Sequence, residues 1–162
     1  MEDLRKKDFE ETCQLFIGAL HKYFNRVRLY SNLIREESET GVPYMKDKDS
    51  LVLKQFTGVI GISGNRKGFV YISADEKLYK DLLYYLVKRE DPSEAHIMDM
   101  AGEISNVVSG NVRETYGKDF MITVPMVFKG KPEELQFPED VPVFVIPFNW
   151  NNHSADLVVA LE

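Results

Sequence analysis

Cysteine is almost absent from this chain: Cys13 is the one thiol in 162 residues, so no disulfide can form within it and a reducing compartment is expected. The neighbours of Cys13 at helical spacing are apolar, which reads as a buried thiol rather than a nucleophile. Positive charge is in deficit, with 20 basic against 26 acidic residues and a formal charge of -6. That balance excludes a chain built as a whole to bind nucleic acid or an anionic membrane. No stretch approaches the roughly 18 apolar residues of a membrane span, and "MEDLRKKDFEE" is charged where a secretory signal needs an apolar run. A cytoplasmic protein is expected. Low-complexity sequence is lacking too. What remains is a 44% hydrophobic chain, long enough for one core and too short for two comfortable domains, so residues 1–162 are read as one domain.

Phe9, Cys13, Phe16, Ile17, Leu20 and Phe24 recur at helical spacing and predict an amphipathic helix from Asp8 to about Arg26. The polar "REESETGVPYMKDKDS" reads as a loop, its Lys46-Asp47-Lys48-Asp49 run solvated. From Leu51 the texture becomes β-branched and aromatic around Gly64-Asn65, which predicts a hairpin. Ser73 and Glu76 have the spacing of a capping box for the next helix, "DEKLYKDLLYYLVKR". Asp91, Pro92 and Glu94 would open a further helix that Gly117 ends. Then "MITVPMVF", "PVFVIPF" and "ADLVVALE" read as three strands, with Pro125 and Pro147 suited to edges or bulges. Helix, two strands, two helices and three strands give an α+β fold with a largely antiparallel sheet.

The stretch "DMAGEISNVVSGNVRE", residues 99–114, interrupts the apolar rhythm of its helix. At about 100° per residue, Asp99, Glu103, Asn106 and Gly110 fall within an arc of about 60°. Ile97, Met100, Ala101, Ile104, Val107, Val108 and Val112 centre roughly 140° away, so one face can lie on the sheet while the other meets solvent. A glycine inside a helix costs about 1 kcal/mol against alanine. On an exposed face that cost has no packing reason, and a closely approaching partner would supply one. The plain alternative is a solvated polar face, and spacing alone does not decide.

The run Gly102-Glu103-Ile104-Ser105-Asn106-Val107-Val108-Ser109-Gly110-Asn111, followed by "ITVPMVFKG" with Pro125 and Gly130, resembles the CheC/CheX/FliY family of chemotaxis phosphatases, its CheX branch above all. That family carries a Glu-x-x-Asn-x-x-x-Gly helix feeding a strand with a proline. The hairpin with Gly58, Gly61, Gly64 and Gly68 is similar as well, and the resemblance runs from about Gln55 to Leu161. It implies a CheC-like layered fold of pseudo-duplicated halves, long helices packed on the sheet. Glu11, Gln14 and Gly18 repeat the Glu-x-x-amide-x-x-x-Gly spacing in the first helix, either by chance or as a degenerate second copy.

The resemblance implies hydrolysis of the aspartyl phosphate on a CheY-like response regulator. By it, Asn106 positions the attacking water, Glu103 pairs with the lysine with which the receiver holds its phosphate, and Gly110 lets the receiver approach. Asp99 either aids docking or solvates the face. No cofactor or metal site is expected in this chain, since the receiver supplies its own Mg2+. A homodimer with joined sheets is implied, "MITVPMVF" or "PVFVIPF" supplying the edge. A binding module of the same fold, docking on a receiver or a flagellar component without catalysis, is the rival reading.

His96, Asp99 and Glu103 also share a helical face at metal-ligand spacing, but one helix offers too few converging ligands, and His96 is read as a first-turn surface residue. Trp150, among Asn149, Asn151 and Asn152, has no basic neighbours to make a nucleic-acid platform and reads as a loop residue packing at a domain or subunit edge. His21 and His153 have no partner legible in the sequence. Two departures from the family stand out: "FNWNNHSADLVVALE" lacks a glycine at its turn, and "EESETGVPYMKDKDS" has no assigned counterpart.

Overall fold

Two β-hairpins laid side by side form the centre of the sheet. The computed structural model describes residues 2–30, 38–47, 50–51, 53–131 and 141–162. Helix α1 (Glu2–Tyr30) is followed by two short strands, β1 (Glu39–Thr40) and β2 (Tyr44–Met45), then by the hairpin β3 (Phe56–Gly64) and β4 (Gly68–Ala74). Helices α2 (Glu76–Val87) and α3 (Glu94–Tyr116) come next. Two more short strands, β5 (Phe120–Ile122) and β6 (Met126–Lys129), precede the second hairpin, β7 (Val143–Trp150) and β8 (His153–Leu161). Strand order is β1-β7-β8-β4-β3-β5, with β2 also on β7 and β6 also on β3; each of these pairings is antiparallel. Each half therefore reads helix, two short strands, hairpin, with α2 added between them. The short strands of each half pair with the hairpin of the other. The α+β duplication expected from the sequence is present in the topology.

Alternation along the strands sorts side chains to two faces. Val70, Ile72 and Ala74 of β4, Phe144, Ile146, Phe148 and Trp150 of β7, and Leu157, Val159 and Leu161 of β8 face a core shared with the three helices. On the other face Val59, Tyr71, Val158 and Val145 are in register across four strands and pack with Leu51. With both faces buried, the strands carry the nearly continuous apolar runs that mark them in the sequence.

Several local expectations need correction. The stretch read as a loop after α1 contains β1 and β2, while its residues 35–37, 48 and 49 lie outside the described residues. "MITVPMVF" is two strands, since Thr123-Val124-Pro125 interrupts the pairing with β3. Ser73 caps nothing. It is buried in β4, where its hydroxyl is bonded to Thr57 at 2.8 Å and accepts the Lys54 N–H at 2.8 Å. The N-cap of α2 is Asp75, and the Glu76 N–H donates to the Gln55 side chain at 2.8 Å. Pro147 fits its prediction: β2 pairs with residues 144 and 145, β1 with 148 and 149, and the proline sits at the break.

Trp150 is also corrected, being core rather than loop or edge. It closes β7, is 1% exposed and stacks on Phe24 of α1. The β7–β8 turn that lacks glycine uses Asn151 (φ 50°) and Asn152 (φ 63°), the residues that tolerate the left-handed region a two-residue type I′ turn requires. Asp81 of α2 anchors this turn, accepting from Asn151 at 2.9 Å and contacting His153. His21 bonds to Ser38 at 2.8 Å, so both histidines have partners the sequence does not reveal. Cys13 is buried, and burial pushes its thiol up to about 11, far from a reactive thiolate at neutral pH.

Helix α3 lies against β3 at Gly58. A Cβ there would stand 2.3 Å from the Ala101 carbonyl oxygen, and the Ser105 hydroxyl donates to the Gly58 carbonyl at 2.8 Å. Gly58→Ala should therefore push α3 off the sheet and cost about 2–3 kcal/mol or more, as overpacking does. Urea unfolding checks this, and a midpoint equal to wild type would contradict it. Asp156 on β8 is half-buried, and burial raises its carboxyl above the ordinary range against the opposing pull of Lys54 and Lys46. The folded chain thus holds that proton more tightly than the unfolded chain, and ionisation costs stability as pH rises through the titration. Asp156→Asn should melt above wild type at neutral pH, with the gap closing as the pH falls and the native carboxyl protonates.

Candidate functional site

The polar stripe of α3 is fixed from both ends and from below. At the start, Ser93 is the N-cap: its hydroxyl accepts the His96 N–H at 3.3 Å, and His96 Nδ1 accepts the Ser93 N–H at 3.1 Å. The expected cap at Asp91, Pro92 and Glu94 is thus two residues early, and His96 fills the box position usually held by Glu or Gln. At the end, Gly117 adopts φ 90° and its N–H donates to the Arg113 carbonyl at 2.8 Å. Underneath, Ile97, Met100, Ala101, Ile104, Val108 and Val112 are all buried. A helix held this way can present its outer side chains from a rigid base.

Asp99, Glu103 and Asn106 stand exposed along the opposite face and make no hydrogen bond or ion pair among the described residues. Gly110 continues the stripe, and a Cβ placed on it would meet nothing within 4 Å. Nothing in the packing requires a glycine there. Gly102 is a different case: buried, with a Cβ position 3.1 Å from Val127 and 3.3 Å from Pro125. That close approach sets the proline loop between β5 and β6 against α3, immediately before Glu103. Val124 of this loop is 81% exposed, and Met121 and Met126 flank it, also exposed. The role of Gly102 is packing, a signal present within the Gly102–Asn111 run that helical spacing alone does not assign.

The stripe lies between two walls. On one side stands the Pro125 loop; on the other is α1, which lies against α3 with Thr12 bonded to Tyr116 at 3.1 Å and Lys22 facing Glu114 at 3.8 Å. Glu11, Gln14 and Gly18 are exposed on α1 with the spacing of a second stripe, and the Gly18 Cβ position is likewise open. Glu11 faces Lys7 at 3.9 Å, and Glu11 and Gln14 border a depression with Thr115 of α3. The two stripes are on neighbouring helices. Among the described residues no three His, Cys, Asp or Glu side chains gather as a metal site, and His96 is engaged by Ser93. None of the described helices is long and apolar enough to cross a membrane.

An exposed carboxylate and an exposed primary amide one turn apart can bind a cation and orient a water, and the open glycine beyond them admits a close neighbour. Comparison with known proteins concerns the chain and its fold. The family model described as "Chemotaxis phosphatase CheX" matches residues 56–149, which include β3, the whole of α3 and the proline loop. No curated protein matches the sequence. Among solved structures, CheX from Desulfovibrio desulfuricans is similar at TM-score 0.75 and 21% identity, over 94% of this chain and 99% of that one. CheX from Vibrio vulnificus is similar at TM-score 0.72 and 23% identity, over 91% and 97%. CheX from Borrelia burgdorferi, solved in a complex with CheY, BeF3 and Mg2+, is similar at TM-score 0.68 and 19% identity, over 93% and 97%. With the family matched across more than half its length and the fold shared nearly end to end, the chain belongs to the CheX family of chemotaxis phosphatases.

Proposed function

We propose that this protein accelerates hydrolysis of the aspartyl phosphate on a CheY-like response regulator through the outer face of α3. The observation that carries the reading is the unshielded Glu103-Asn106-Gly110 stripe on an otherwise tightly packed helix. An acyl phosphate is already reactive, so a helper protein gains most by holding water in line with phosphorus. The Asn106 amide suits that role because it has donor and acceptor, stays neutral at all relevant pH, and is short enough to keep its direction on a rigid helix. A carboxylate would be repelled by phosphate, so Glu103 acts on a cation instead, the lysine beside the receiver's phosphate. Gly110 leaves room for the receiver backbone, and Asp99 borders the docked surface.

The complex of the Borrelia relative with CheY supports a CheY-type partner, and in this reading the receiver brings its own Mg2+. A homodimer belongs to the same proposal. Of the two segments expected to join sheets, 142–148 is covered by β1 and β2, whereas β5 and β6 lie on the sheet edge. Of those two segments, the one in β5 and β6 is therefore the one placed to meet a second copy.

Decay of a phosphorylated CheY-like receiver is the direct assay. Wild type should shorten its lifetime, Asn106→Ala should abolish the acceleration while melting like wild type, and Glu103→Ala should mainly weaken receiver binding. Binding without any change in decay would make the stripe a docking surface and the protein a non-catalytic module. Gly110→Leu separates fold from function in the opposite direction: the space above the position is open, so the helix should gain about 0.5–1 kcal/mol while receiver affinity falls. Unchanged affinity in that variant would remove the role given to Gly110.

A further inference from the structure

Tyr23 of α1 is 7% exposed, and its hydroxyl is fully buried without a hydrogen-bond partner among the described residues. The ring is held edge-on by Phe24, with centroids 5.2 Å apart, so the hydroxyl has little freedom to seek water. A buried donor left unpaired carries its whole desolvation cost without return, and such a group calls for an explanation. Tyr79, nearby, does not supply one: its hydroxyl donates to the Phe56 carbonyl at 3.1 Å and makes no bond with that of Tyr23.

The seam between α1 and α3 indicates where the hydroxyl belongs. Early α1 meets late α3 through Thr12 and Tyr116, and further along α1 Tyr23 comes within electrostatic reach of Glu103, nearer the start of α3. Burial first, and the Glu103 charge second, hold the phenol proton far above the ordinary tyrosine range. The group is thus a donor at every working pH. In the free protein Glu103 is exposed and hydrated, and it competes for no internal donor.

We propose that the Tyr23 hydroxyl positions Glu103 in the docked complex, donating to its carboxylate as the partner expels water from the seam. The inference rests on the receiver-phosphatase reading and adds a residue from the neighbouring helix to it. A carboxylate losing its water to a docking surface needs a replacement donor, and a neutral phenol supplies one without neutralising the charge that the receiver's lysine requires. Tyr23 does not touch the reacting atoms; it is a positioning residue acting through Glu103.

The test is steady-state dephosphorylation of a CheY-like receiver by wild type, Tyr23→Phe, Glu103→Ala and the double variant, with thermal melts of each. Tyr23→Phe should raise KM for the phosphorylated receiver about tenfold, leave kcat unchanged and melt no lower than wild type. In the Glu103→Ala background the same substitution should change nothing further. A KM equal to wild type, or an equal penalty with and without Glu103, overturns the assignment while leaving the phosphatase reading intact. Failure of wild type to accelerate decay at all overturns that reading, and this inference with it.

Discussion

The contact of α3 with β3 at Gly58 sets the height of the whole helical layer. Ordinary helix-on-sheet packing keeps a side chain between backbones; here the Ala101 carbonyl occupies the space a Cβ would need, and Ser105 ties the two backbones with a hydroxyl-to-carbonyl bond. The same helix approaches the neighbouring edge strand through a second glycine, Gly102, against Pro125 and Val127. Two close approaches on adjacent residues fix both the depth and the rotation of α3. Rotation is what matters for function: a turn of some tens of degrees about the axis would swing Asn106 into the proline loop or Glu103 into α1.

Much of this is readable without coordinates. The wheel of residues 97–112 separates a buried arc from an exposed stripe, and each residue assigned to either side sits where that wheel puts it, apart from Val107 and Gly110, which are half-buried at the boundary. Strands β3, β4, β7 and β8 are legible because they are buried on both faces and carry long β-branched runs. Legibility fails where the physical signal is short or non-periodic. Strands of two residues, such as β1 and β2, have no period to detect. Ser73 has the spacing of a cap but, buried between Thr57 and Lys54, bonds within the sheet instead. Ser93 makes its box with a histidine, outside the usual pattern.

Trp150 shows how a neighbourhood can mislead. The surrounding asparagines and a histidine suggest a loop, whereas the period-two series Phe144, Ile146, Phe148, Trp150 places the indole on the helix-facing side of β7. Asn151 and Asn152 belong to the turn that follows, where they accept backbone angles that most residues avoid. In the candidate site the stripe is visible from spacing, but the partner wall is not, because Gly102 and Pro125 meet only after the chain has folded back through the rest of α3 and β5.

The duplicated topology makes the inequality of the two helices informative. A Cβ on Gly18 or on Gly110 would meet nothing within 4 Å, and Glu11 and Glu103 precede them by the same interval, so spacing alone does not tell the two helices apart. The difference lies one turn before the amide. Counting back eight residues from each open glycine gives Gly102 on α3, buried beneath Pro125, but Glu10 on α1, exposed. A glutamate side chain cannot offer the bare backbone that Gly102 offers to Pro125 and Val127, so the close approach seen on α3 is not available at Glu10. Its amide is also a glutamine, whose extra methylene adds a rotatable bond and so costs more entropy to hold in one direction. Under the proposed function, aiming a water favours a short side chain on a braced helix, and the amide of α3 is the shorter of the two. What α1 brings to α3 is the seam itself, where Thr12 bonds to Tyr116 and the Tyr23 hydroxyl is buried without a partner among the described residues.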